Sequence, residues 1–149
     1  MPNTSYDEWF KRHEEVIQQA IDLIKEYGFS PVAINEGGKP SFVRIFLGEK
    51  KVDFIIKEIK SKFVRSIWLC KKDAFNPDNI YLIYANKENL WLVTTGKEAD
   101  REGEFRESDM KEGVKFVVVA IDNFRPAKTF LKLIRDRYND QLQKRMTDF

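Results

Sequence analysis

Residues 52–60, Val-Asp-Phe-Ile-Ile-Lys-Glu-Ile-Lys, constrain the fold more than any other stretch of the chain. Side chains on a strand alternate between two faces, so Val52, Phe54 and Ile56 form an apolar track that runs unbroken into Glu58 and Lys60. That track needs a partner layer. The sequence before it offers an amphipathic helix with Phe10, His13, Ile17, Ala20, Ile21 and Ile24 on one side. Ser5 followed by Glu8 has capping-box spacing, and Gly28 suits the helix end. Extended segments are predicted over Ser30 to Asn35 and Phe42 to Leu47, with turns at the Glu-Gly-Gly-Lys-Pro and Gly-Glu-Lys-Lys runs. Together with 52–60 they make a three-strand antiparallel meander.

The rest of the chain extends this sheet. Ile67-Trp68-Leu69-Cys70 reads as extended, and Ile80 to Ala85 with Leu90 to Thr95 reads as a hairpin joined by Asn86-Lys87-Glu88-Asn89. Val114 to Ile121 is a β-branched strand, and a last helix starts near Pro126, with Phe130, Leu131, Leu133, Ile134 and Tyr138 on its buried side. The order helix, strands, helix indicates an α+β fold: an N-terminal helix, a meander extended to a mixed central sheet, and a flanking C-terminal helix. With 149 residues and no repeat or linker, a single domain over 1–149 is expected.

Composition excludes several classes. At 42% hydrophobic and 34% charged residues the chain is too apolar for wholesale disorder. The one cysteine, Cys70, makes no internal disulfide, and no Cys/His cluster suits zinc, so a reducing, cytoplasmic setting is expected. The N-terminus lacks a signal-peptide pattern, and no apolar run approaches the ~20 residues of a membrane span. The net charge of +2 conceals two basic stretches, 57–72 and 125–145, separated by an acidic one at 98–112. A shared basic face would suit a phosphate backbone, with Lys62, Arg65, Lys71 and Lys72 as DNA contacts.

An acid and a lysine side by side at a strand end can hold a divalent cation and stabilise charge at a phosphate, provided that a second acid converges on them. Asp53 lies five positions before Glu58, on the opposite face of a regular strand. With the hairpin turn centred on Glu49, Phe42 falls opposite Ile56 and Pro40 opposite Glu58, which brings Glu36 nearest the pair. On the first helix Glu14, at the edge of the apolar face, is a better third acid than Glu15. His13 and Cys70 read as packed core residues, and Trp9, Trp68 and Trp91 as core rings, with Trp68 also able to stack on a base.

The helix, the meander, Glu58-Ile59-Lys60 followed by Ser61, then Trp68 and two apolar strands resemble the PD-(D/E)XK, or restriction-endonuclease-like, nuclease superfamily over roughly residues 5 to 95. The resemblance implies an endonuclease that hydrolyses DNA with Mg²⁺ or Mn²⁺. It gives Glu58 as metal ligand, Lys60 as catalytic lysine, Glu36 in place of the usual aspartate and Glu14 as the helix acid. A homodimer would be the economical way for one-strand sites to cut both strands. Arg44 stands where an acid could have stood on the second strand, and no Pro-Asp pair precedes the motif. A nuclease-like fold without catalysis, serving as a DNA-binding or protein-interaction module, is therefore the alternative. A second register would make Asp53 the acid and Ile67–Lys72 the third strand, with Cys70 in the acid's place and Lys72 as the lysine.

Overall fold

Helix α1, Thr4–Glu26, buries Val16, Ile17, Ala20, Leu23 and Ile24, a stripe at the three- and four-residue spacing of a core-facing helix. It ends where Tyr27 and Gly28 donate to the carbonyls of Ile24 and Lys25, and Gly28 takes a φ of +85°, a left-handed conformation that glycine adopts without a Cβ clash. A computed structural model of the chain describes residues 4–36, 39–61, 64–72, 75–107 and 112–147. The Ser5 side chain, and with it the capping box, lies outside the described residues.

Strands β1 (Val32–Glu36), β2 (Lys39–Leu47) and β3 (Lys50–Ile59) form the antiparallel meander. Leu47 pairs with Lys50 and Val43 with Phe54 around a Gly48-Glu49 turn, one residue away from the register expected for a turn centred on Glu49. A one-residue slip moves every side chain to the other face. Val43 and Ile45, rather than Phe42, therefore join Phe54 under the helices. Arg44 lands opposite Asp53 on the far face, its Nε 2.7 Å from Oδ1. The pairing with Arg44 explains why an aspartate is tolerated in the middle of this strand.

β3 then runs parallel to β5 (Ile80–Ala85), which pairs with β6 (Leu90–Thr95), and β6 pairs with the short β9 (Arg125–Pro126). The central sheet is mixed, with order β1-β2-β3-β5-β6-β9. Between β3 and β5 the chain leaves this sheet. β4 (Ser66–Lys71) pairs instead with β8 (Lys115–Ala120), which also pairs with β7 (Glu104–Glu107), in a second sheet of order β4-β8-β7. This excludes the second register, since Ile67–Lys72 cannot be the central sheet's third strand.

Two cores result. On one face of the central sheet, α1 and α3 (Ala127–Thr147) cover Val43, Ile45, Phe54, Ile56 and Leu82. On the other, the second sheet contributes Ile67, Leu69, Val117 and Val119 against Ile59, Tyr81 and Ile83. On α3, Ala127, Phe130 and Leu131 are buried and Ile134 packs against them, but Leu133 is exposed because it lies well round the helix from that stripe.

The acidic stretch holds most of α2 (Gly96–Glu102) and all of β7 (Glu104–Glu107). α2 buries only Ala99 and its first residue, and every residue of β7 is exposed, so neither element carries a hydrophobic period to betray it. Thr95 caps α2 by accepting from the Glu98 amide, and the Gly96 amide donates to the Asn79 carbonyl at 2.7 Å.

Candidate functional site

The β2–β3 pairing stops at Val43 and Phe54, whereas β3 continues to Ile59 alongside β5. Among the described residues no further pairing joins the two strands, so beyond Phe54 the sheet forks. A cleft of about 400 Å³ occupies the fork. Its floor is β3 from Ile55 to Lys60. α1 supplies one wall with Trp9, Arg12, His13 and Val16, and β4 supplies the other with Ile67, Trp68 and Leu69.

Strand alternation divides the floor. Glu58 points to the α1 side, where Arg12 donates from Nε to both carboxylate oxygens at 3.2 Å and from Nη2 to Oε2 at 2.5 Å. Asn86, in the turn after β5, donates to Oε2 at 3.0 Å. Arg12 Nη1 also reaches Glu15 at 3.2 Å. Burial of Glu58 opposes its charged form, but the hydrogen bonds from Arg12 and Asn86 outweigh this and hold its pKa below the usual carboxylate value. The same contact with Glu58 raises Arg12 further above its already high value.

Lys57 points to the opposite side, toward Cys70 and the second sheet. Its side chain is half-buried, and desolvation lowers its pKa. No acceptor for its ammonium exists among the described residues. The Cys70 Sγ lies 3.8 Å from the Tyr81 hydroxyl, and desolvation pushes both groups up, so the thiol stays protonated at neutral pH. His13 is half-buried as well. Desolvation, then the charge of Lys57, lowers its pKa and favours the neutral imidazole.

The sequence-derived candidates separate in space. Glu58 and Lys60 both line the cleft, Lys60 as an exposed residue just past the strand end. Glu14 is exposed on α1 and Arg65 is exposed before β4, and neither lines the cleft. Lys71 and Lys72 lie at the far end of β4, where Lys72 sits over the Phe105 ring at 4.7 Å. Glu36 ends β1, its backbone paired with Lys39. The Glu36 side chain and Lys62 lie outside the described residues. Trp9, expected in the core, is instead 52% exposed.

Three residues of the cleft escaped sequence reasoning as site residues: Arg12, Lys57 and, assigned to the core, His13. Helical spacing could have found Arg12, which stands four positions before buried Val16 and eight before Ala20. Strand alternation could have found Lys57, which shares a face with Ile55 and Ile59.

A divalent cation of the kind that the resemblance implies wants several oxygen ligands. Among the described residues no group of three or more His, Cys, Asp and Glu comes together. Of the residues lining the cleft, Glu58 is the one acid, against the cations of Arg12, Lys57 and Lys60. Both oxygens of that acid are already engaged by Arg12. This donor set does not fit a metal.

The forked sheet and the helix across it make the α+β fold with a mixed central sheet that the sequence led us to expect. The structure is similar to that of Hjc, a Holliday junction resolvase from the archaeal hyperthermophile Archaeoglobus fulgidus, with a TM-score of 0.53 and 9% identity over 79% of this chain and 98% of that one. It is also similar to a nuclease from a fusselovirus, with a TM-score of 0.47 and 10% identity over 95% of this chain and 98% of that one. No family model and no curated protein matches the sequence. The likeness to the resolvase shows the fold, here in a divergent version.

Proposed function

We propose that the chain is a nucleic-acid-binding module built on a nuclease fold, with its hydrolytic position closed by Arg12. The observation that carries this reading is the cleft at the fork. It is basic, and its one acid is tied to Arg12 and Asn86 at hydrogen-bond distances of 2.5 to 3.2 Å. Cations grouped in a concave site raise the local concentration of phosphate, which suits DNA as the partner. Two exposed tryptophans beside them fit the same partner, since indole rings stack on bases.

A second reading is supported by Glu58-Ile59-Lys60 at the mouth of the cleft on this fold: hydrolysis of DNA phosphodiesters with Mg²⁺ or Mn²⁺. It requires Arg12 to release Glu58 and a further acid, Glu36 or Glu14, to join it. The homodimer expected from the sequence is needed by this second reading alone.

One pair of measurements separates them. Labelled DNA is titrated with the protein in EDTA at several salt concentrations, and plasmid and branched DNA are incubated with millimolar Mg²⁺ or Mn²⁺. Salt-sensitive binding without metal and intact DNA with it are the expected results. Metal-dependent cleavage that disappears in Lys60→Ala would establish the hydrolytic reading instead.

A further inference from the structure

We propose that the cleft seats one phosphate of an unpaired nucleic-acid strand between Lys57 and Arg12 without a metal ion, while Trp9 and Trp68 stack on the neighbouring bases. This rests on the nucleic-acid reading above and narrows it to a single-stranded ligand and a particular pair of cations.

Lys57 supplies the first reason. The Lys57 side chain is half-buried and its ammonium is not among the sealed, unpartnered nitrogens, so an anion that enters the cleft would replace water as its partner. Around Lys57 stand Cys70, whose thiol stays protonated, and His13, whose imidazole is held neutral. Glu58 lies on the opposite face of the strand and is taken up by Arg12. Among the described residues no anion pairs with Lys57, and the cleft that it lines is where one can enter.

Arg12 supplies the second. Its Nε and Nη2 are committed to Glu58 and one Nη1 bond goes to Glu15, which fixes the plane of the guanidinium without exhausting its five N–H donors. A fork held in this way presents its remaining donors at little entropic cost, as bidentate phosphate recognition requires. Glu58 thus acts as a positioning residue for the guanidinium.

Size and stacking choose the form of the ligand. A cleft of about 400 Å³ is at the lower end of small-ligand pockets, enough for one nucleotide and too small to admit a duplex. Trp9 is stacked on His13, ring centres 5.0 Å apart and planes 11° apart, meets Phe10 edge to face at 5.1 Å, and is still 52% exposed. Trp68 is 39% exposed and backed by Phe116 at 5.4 Å. The two rings belong to opposite walls of one cleft. Duplex bases are already stacked on each other and offer such rings no faces, whereas bases of a single strand do.

The test uses the full chain in EDTA and a fluorescein-labelled oligo-dT of about 12 nucleotides, a span covered by typical single-strand sites. A blunt duplex of equal length is titrated beside it. Anisotropy gives affinity, and tryptophan emission reports stacking. Wild type is expected to bind the single strand at least about tenfold more tightly than the duplex and to lose tryptophan emission on binding. Lys57→Met should weaken single-strand binding about tenfold or more while circular dichroism stays native, and Lys57→Arg should keep most of it. Trp9→Leu and Trp68→Leu, assayed separately, provide the same readout if Lys57→Met does not fold. Duplex binding as tight as single-strand binding, or unchanged single-strand binding in Lys57→Met or in both tryptophan variants, overturns the proposal and leaves the nucleic-acid reading standing. Absence of binding to either probe at low salt overturns both.

Discussion

Arg12 on α1 and Glu58 near the end of β3, 46 positions apart, hold each other by hydrogen bonds to both carboxylate oxygens. The Glu58 side chain is only 9% exposed, so removing Arg12 leaves a carboxylate in a place where water reaches it poorly. Arg12→Ala should lower stability by about 1–3 kcal/mol, the cost of an unsatisfied charged group, with the bond from Asn86 keeping the loss within that range. Urea denaturation checks this, and an unchanged midpoint would show that the pair contributes nothing.

Acid should weaken the same pair. Arg12 and Asn86 outweigh desolvation and keep the folded pKa of Glu58 below its unfolded value, about 4.3. The folded state therefore binds this proton less tightly than the unfolded state does. The contribution is complete above the unfolded pKa and is lost as pH falls through the folded one. Wild type should melt above Glu58→Gln near neutrality, and the two melting curves should converge below about pH 4. A gap between them that stays constant with pH would remove the charge from the explanation.

Lys57 should behave in the opposite sense. Desolvation places its folded pKa below the unfolded value of about 10.4, so the unfolded chain binds the proton more tightly and wild-type stability rises as pH climbs between the two. Lys57→Met should be more stable than wild type at pH 7, by on the order of 1 kcal/mol, because an apolar side chain replaces a partly desolvated charge. The advantage should shrink toward pH 10 in thermal melts. A methionine variant less stable than wild type at pH 7 would mean that the ammonium has a stabilising partner in solution.

Gly96 offers a prediction independent of charge. A Cβ built there would stand 2.6 Å from the Asn76 carbonyl oxygen and from Pro77 backbone atoms, none of which can swing aside like a side chain. Gly96→Ala should cost about 1–3 kcal/mol, as overpacking does, and should separate α2 from the loop before β5. Chemical denaturation measures the cost, and a neutral substitution would mean that the loop yields without strain.

The elements that carry a hydrophobic period were legible in the sequence. β5 and β6 run Ile80–Ala85 and Leu90–Thr95, matching the apolar runs, and Gly28 ends α1 as its position suggests. The polar α2 and β7 were not, because an element that buries almost nothing leaves no period to read. The excursion of β4 into a second sheet was also hidden, since strand pairing over long separations is a property of the whole chain. At the site, alternation correctly put Asp53 and Glu58 on opposite faces. The partner of Glu58 was sought among acids, however, and the structure supplies Arg12. Sequence spacing shows which residues can share a face and leaves open which of them will meet across layers.

β4 has a further consequence, for the order in which the protein is made. Its hydrogen-bonding partner β8 begins at Lys115, so a nascent chain carries β4 without its mate while the intervening segment, including all of β5 and β6, is synthesised. At roughly 5–20 residues per second this wait lasts a few seconds. Ile67, Trp68 and Leu69 form one wall of the cleft, and until β8 arrives that wall lacks its hydrogen-bonded partner. The helix side of the cleft can settle early, but in a chain stopped short of β8 the opposite wall has no hydrogen-bonded neighbour.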